Sequence, residues 1–226
     1  MHIETLDHVA LWVADRDTLA GFLTRHVGMH VIERTERFTL LGADARRGKL
    51  TLFEAEGPRE PGVLGRVALR VFDLEEALAE LPPGLAVERR DGFALFLASE
   101  GLTLALVEVD EGVAYDLDHV AFRVADPDRS FAELAQLGFV AEGPRLRAGD
   151  AYVVFEPGDV GETERPLLNH LGLRVESADA HIAEAERRGL PIADVVDAPN
   201  TYAVFLWGPD GIKLEYVEHK PTFSLT

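Results

Sequence analysis

The chain has 226 residues, no cysteine, and 40 acidic against 22 basic residues, for a formal charge of -18. Disulfides and thiolate metal sites are excluded, and so strong a negative charge repels phosphate backbones and anionic headgroups, which argues against nucleic-acid and membrane partners. A hydrophobic fraction of 47% is that of a globular protein, no apolar run is long enough to span a bilayer and the N-terminus has no secretory pattern, so a cytoplasmic location is expected.

The first readable element is a strand at Leu6-Asp7-His8-Val9-Ala10, continuing to Val13, in which Val9, Leu11 and Val13 alternate with His8, Ala10 and Trp12. Asp15 then caps a helix expected over 16–26, and a strand follows at Lys49–Ala55. The sequence next repeats itself. A second opening strand, Leu64 to Val71, carries Arg66 where the first carries His8; Asp73 and Glu76 form a capping box for a helix over 74–81, and strands follow at Phe93–Ala98 and Leu102–Val109. After a stretch without apolar periodicity from Asp110 to Asp116, Leu117-Asp118-His119-Val120-Ala121 restates the first five residues letter for letter. Asp126 and Pro127 start a helix over 127–136, and a strand follows at Ala151–Phe155. A fourth opening strand bears His170, Ser177 caps a helix over 178–188, and the chain ends in strands at Tyr202–Trp207 and Ile212–Glu218.

Four modules of strand, helix and about three strands result, anchored at positions 8, 66, 119 and 170. The expected fold is α+β: four βαβββ modules paired into two domains, 1–110 and 116–226, each a curled mixed sheet forming a cup with helices outside. Each anchor is followed two residues later by a small one (Ala10, Ala68, Ala121, Gly172), which leaves room above the face turned away from the helices.

One residue breaks the symmetry. Aligned on its alternating leucines, the last strand places Glu215 where Phe53 and Ala105 stand in modules one and two, and a carboxylate inside a strand needs compensation. His119, His170 and Glu215 supply the two-histidine, one-carboxylate ligand set that leaves coordination positions open, which places a metal in the second half only. His8 reads as a lone rim or core histidine, and His2, His26, His30, His181 and His219 as solvated.

On these residues, and on the closing Gly208-Pro209-Asp210-Gly211-Ile212-Lys213-Leu214-Glu215, the whole chain resembles the vicinal oxygen chelate superfamily, which includes glyoxalase I, bleomycin and fosfomycin resistance proteins and extradiol dioxygenases. The layout is similar to that of two-domain type I extradiol dioxygenases. The resemblance implies iron(II) or manganese(II), with zinc or nickel as other options, held by His119, His170 and Glu215, a small catechol-like or other oxygen-chelating substrate, and dioxygen as co-substrate. It also implies helper groups that this chain replaces. Phe205 stands ten residues before Glu215 where those enzymes carry a tyrosine, and Phe155 and residues near Val196 stand where they carry histidines. Strand parity puts Ala203 and Trp207 on the face of Phe205, and turns Tyr202 away. Phe155, Ala203, Phe205, Trp207 and Lys213 are the expected pocket, with Lys213 the nearest cation, and Arg123 and Arg174 lie about 13 Å beyond their histidines. Three activities stay open: a dioxygenase, a glyoxalase-like lyase or isomerase using the metal as Lewis acid, and a resistance-type binding protein. Both a monomer and a homo-oligomer fit the duplicated halves.

Overall fold

A computed structural model describes residues 1–44, 48–110, 112–158, 161 and 163–223. Module one comprises β1 (Thr5–Val13), α1 (Arg16–His26), β2 (His30–Arg34), β3 (Phe38–Gly42) and β4 (Lys49–Glu54), and module two β5 (Leu64–Val71), α2 (Leu74–Ala79), β6 (Val87–Arg90), β7 (Phe93–Leu97) and β8 (Thr103–Glu108). Module three comprises β9 (Leu117–Val124), α3 (Pro127–Ala135), β10 (Val140–Glu142), β11 (Arg145–Ala148) and β12 (Ala151–Pro157), and module four β13 (Leu168–Arg174), α4 (Ala178–Arg188), β14 (Ile192–Asp197), β15 (Thr201–Trp207) and β16 (Lys213–His219). The side chains of Asp15, Asp73, Asp126 and Ser177 each accept a bond from the backbone N–H three residues on, so all four helices start at the expected caps.

The strands form two mixed eight-stranded sheets, ordered β14-β15-β16-β13-β1-β4-β3-β2 and β10-β11-β12-β9-β5-β8-β7-β6. The α+β class and the paired cups stand, but the sheets do not follow the two halves of the chain. Antiparallel pairing of β1 with β13 joins module one to module four, and that of β5 with β9 joins module two to module three. The stretch from Asp110 to Asp116, of which Glu111 lies outside the described residues, connects two modules of the second cup.

The helical layer keeps the halves together instead. Between β7 and β8, Glu100 accepts bonds from the backbone N–H groups of Ala14 and Asp15 at the start of α1, at 2.7 and 3.2 Å. In the same place in module four, Asp210 binds Arg129 at 2.5 Å and Ser130, both on α3. The helix-facing residues of both sheets, such as Val9, Leu11, Val67, Leu69, Val120, Phe122, Leu171 and Leu173, share one apolar core. Their alternation with cup-facing residues is what a half-buried sheet demands. Among the described residues no helix is long and apolar enough to cross a membrane.

Because Glu100 caps α1 from another module, Glu100→Ala is expected to lower the unfolding free energy by about 1–2 kcal/mol. Urea denaturation checks this, and an unchanged midpoint would contradict the docking role.

Candidate metal centre

The anchors of modules one and four meet where β1 and β13 pair. Each strand carries one extra residue relative to the other, Asp7 in β1 and Asn169 in β13. A bulge re-aims the local side chains, and here it lets each extra residue turn to the ring of the histidine after it. Asp7 Oδ2 lies 2.8 Å from His8 Nδ1, and Asn169 Oδ1 lies 3.1 Å from His170 Nδ1. With both Nδ1 atoms engaged, both Nε2 atoms face the cup, 3.0 Å apart. Each is 3.1 Å from Glu215 Oε2.

Glycine makes this meeting sterically feasible. In the register of β1 and β13, His8 stands opposite Gly172, and a Cβ there would fall 2.1 Å from His8 Cε1. Modules one, two and three carry alanine at the corresponding position (Ala10, Ala68 and Ala121), so the glycine of module four is matched to a neighbouring imidazole.

Three donor atoms with edges of 3.0–3.1 Å fit one triangular face of an octahedron, since adjacent ligands at bond lengths near 2.1 Å sit about 3.0 Å apart. Two imidazoles and a carboxylate on one face suit a divalent first-row ion with open positions opposite. The electrostatics agree. Burial works to raise the Glu215 carboxyl, but its contacts with His170 and His8 outweigh it and hold it at about 2. Burial disfavours charge on His8, yet its bonds to Asp7 and Glu215 push it up to about 9. Burial dominates at His170 and keeps its imidazole below the ordinary value. At neutral pH the cluster therefore carries its positive charge on His8, and a bound cation would displace that extra proton.

Behind His8, buried Lys49 and half-buried His219 complete the setting of Asp7. Lys49 Nζ lies 2.9 and 2.8 Å from the two Asp7 oxygens, and His219 Nε2 lies 3.3 Å from Oδ1. Burial works to raise the Asp7 carboxyl, but Lys49, with His219 and His8, holds it well below the usual range. The cup in front encloses about 860 Å³. Its wall is aromatic: Trp12 and Phe38 pack on Phe53 at 5.5 and 5.8 Å, and Phe205 meets His170 edge-on at 5.2 Å.

Two of the three expected ligands, His170 and Glu215, are thus brought together, and the third member of the cluster is His8. His119 lies in the other sheet, where Asp118 holds its Nδ1 at 2.6 Å and Arg66 Nε donates to its Nε2 at 2.9 Å. Arg66 also binds Glu156. In that second cup a guanidinium, fixed to the chain, lies between the histidine and the acid. The error came from pairing consecutive modules, which left His8 without partners. Gly172 and the identity of the two Leu-Asp-His segments were the signals for His8.

Strand register also corrects the alignment of Glu215. It pairs with Gly172, two residues after His170, and the counterpart two residues after His8 is Ala10, which pairs with Thr51 rather than Phe53. Ala105 keeps its place, opposite Ala68. Phe205 and Lys213 line the cup. Ala203 is buried on the same strand, and Trp207 is 48% exposed beneath Lys213, whose amine lies 5.0 Å from its ring. Phe155 does not reach the site, because it sits opposite Phe122 in the second sheet and packs on it at 6.0 Å on the helix side. His219 and His181, expected in solvent, are respectively bonded to Asp7 and buried against Tyr216. Arg174 pairs with Glu4 at 2.7 Å.

Comparison with known proteins agrees with this architecture. The family model described as Glyoxalase/Bleomycin resistance protein/Dioxygenase superfamily matches residues 5–166. Among curated proteins no sequence matches the chain. Similar folds include a proposed dioxygenase from Bacillus subtilis (TM-score 0.81, 16% identity, 98% of this chain and 87% of that one) and glyoxalase I from Zea mays (TM-score 0.73, 17% identity, 95% and 92%). The CppA protein of Streptococcus pneumoniae is also similar, with a TM-score of 0.66 at 14% identity over 96% of this chain and all of that one.

Two outcomes are expected. Elemental analysis after loading should give one divalent ion per chain, abolished by His8→Ala and kept by His119→Ala; the reverse pattern would contradict the site. In the metal-free protein, His8 is raised from 6.5 to about 9, so its contribution to stability is complete below pH 6.5 and lost as pH rises through 9. His170, held low, adds stability as pH rises towards 6.5, and Glu215 loses its contribution only as pH falls through about 2. The thermal midpoint should therefore fall between pH 7 and 9, and His8→Gln should flatten that fall; a flat wild-type profile would refute the charged His8.

Proposed function

Because the chain belongs to the Glyoxalase/Bleomycin resistance protein/Dioxygenase superfamily, we propose that it is a divalent-metal-dependent enzyme of dioxygenase type, acting on a small molecule that presents two adjacent oxygens. The observation that carries this is the triangle of His8 Nε2, His170 Nε2 and Glu215 Oε2. Two histidines and one carboxylate leave enough open positions for both substrate oxygens and dioxygen, and iron(II) or manganese(II) suits that set better than zinc or nickel. When bound, such an ion supplies Lewis acidity to the adjacent oxygens and one-electron chemistry towards dioxygen.

The protein's own part is to bind, orient and keep dry. Phe38, Phe53 and Phe205 give a flat apolar substrate two walls, and Trp12 extends one of them towards the rim. Asp7 and Asn169 fix both imidazoles, so that little reorganisation is needed when substrate arrives. Lys213, two residues from Glu215 on the cup face, offers a cation to a substrate anion.

A second reading, a lyase or isomerase using the metal as Lewis acid, is favoured by Phe205, which places a hydrocarbon edge against His170 where a phenol would assist ring opening. Oxygen separates the two. Iron-loaded protein offered a panel of aromatic vicinal diols should consume oxygen and form ring-opened product, with activity lost in His8→Ala. Turnover that persists without oxygen and with zinc or nickel would establish the second reading instead.

A further inference from the structure

The two histidine ligands differ in what stands behind them. His170 leans on the neutral amide of Asn169, at 3.1 Å, while His8 leans on the carboxylate of Asp7, at 2.8 Å. An amide is therefore enough to fix a ring in this fold, and the carboxylate at position 7 does something more. It is buried, 4% exposed, and is matched by a lysine only 2% exposed. Placing two charges inside a protein is costly, and such pairs often contribute nothing net to stability. Lys49 stands directly opposite His8 in the parallel register of β1 and β4, and so meets Asp7 from the neighbouring strand. His219 approaches the same carboxylate from β16, and Phe223 covers it, stacked at 3.9 Å on the His219 ring and with Lys49 Nζ 5.7 Å from its centroid.

We propose that Asp7 is a positioning residue that acts through His8, making it the stronger donor of the two imidazoles, and that Lys49 is buried to hold Asp7 in that role. The inference rests on the metal-centre reading above. A carboxylate on the far nitrogen raises the donor strength of a metal-bound imidazole, and loss of such a partner costs about 10–100-fold in metal affinity. The duplicated fold carries its own control. In the second cup Asp118 holds His119 at 2.6 Å and is itself met by Arg70 at 3.4 Å, the same device facing a guanidinium. There it can serve structure alone.

Cobalt(II) is the probe, bound to the full-length chain and titrated against a chelator. Asp7→Asn keeps a hydrogen-bond acceptor and removes the charge, and the double variant Asp7→Asn with Lys49→Met removes both buried charges together, so that neither is left unpaired. Both are expected to bind one cobalt about 10–100-fold more weakly than wild type. One of the two hyperfine-shifted ring N–H resonances, that of His8, should move while that of His170 stays. Lys49→Arg, which keeps a cation beside Asp7, should keep wild-type affinity, and Asp118→Asn should leave cobalt affinity unchanged. Wild-type affinity and unmoved resonances in the double variant would overturn the role of Asp7 while leaving the metal centre intact. An equal loss in Asp118→Asn would overturn it too, by marking the effect as structural. A wild-type protein that takes up no cobalt would instead remove the metal-centre reading, and this inference with it.

Discussion

The antiparallel contact of β1 and β13 is the constraint on which the rest depends. It sets His8 beside Gly172 and Ala10 beside His170, so that two imidazoles from opposite ends of the chain share one face. The extra residue in each strand then supplies the group that orients each ring. Shifting this register by one residue would put the two histidines on opposite faces of the sheet, because side chains alternate with a period of two. The pairing is held by the apolar core beneath it, where Val9, Leu11, Leu171 and Leu173 are fully buried. The apolar core and the His8, His170 and Glu215 cluster therefore demand the same register.

Duplication explains the scaffold, and divergence within it explains the chemistry. Both cups carry an extra residue before each anchor: Asp7 and Asn169 in one, Gly65 and Asp118 in the other. Both turn an acid-backed histidine towards the partner strand. In the first cup that strand answers with a histidine, and β16 beside it adds Glu215. In the second it answers with Arg66, whose guanidinium binds the histidine and Glu156 and satisfies them without any ion. One cup is left with donors facing open space and the other is neutralised internally, so the duplicated fold carries two different polar clusters on one plan.

Much of this was legible in the sequence, for identifiable reasons. Caps at Asp15, Asp73, Asp126 and Ser177 are local, so the helices fell where the residues indicated. Alternation marked which face of each strand is apolar, and the lone carboxylate Glu215 marked the chemistry. The partner of module four was not legible by proximity along the chain, because four similar modules can pair in more than one way and local periodicity is indifferent to the choice. The decisive mark was a missing methyl group, glycine at 172 where the other modules carry alanine, and its meaning depends on knowing which ring lies opposite. For the same reason His219 read as solvated and Lys49 only as the start of a strand, since only the sheet order brings them to Asp7.

The central claim is that modules one and four, and not three and four, hold the metal. Anomalous diffraction from a crystal loaded with manganese or cobalt tests it most directly. The account predicts one strong peak within bonding distance of His8 Nε2, His170 Nε2 and Glu215 Oε2, with the second cup dark. A peak at His119, or an empty first cup in a fully loaded protein, would contradict it.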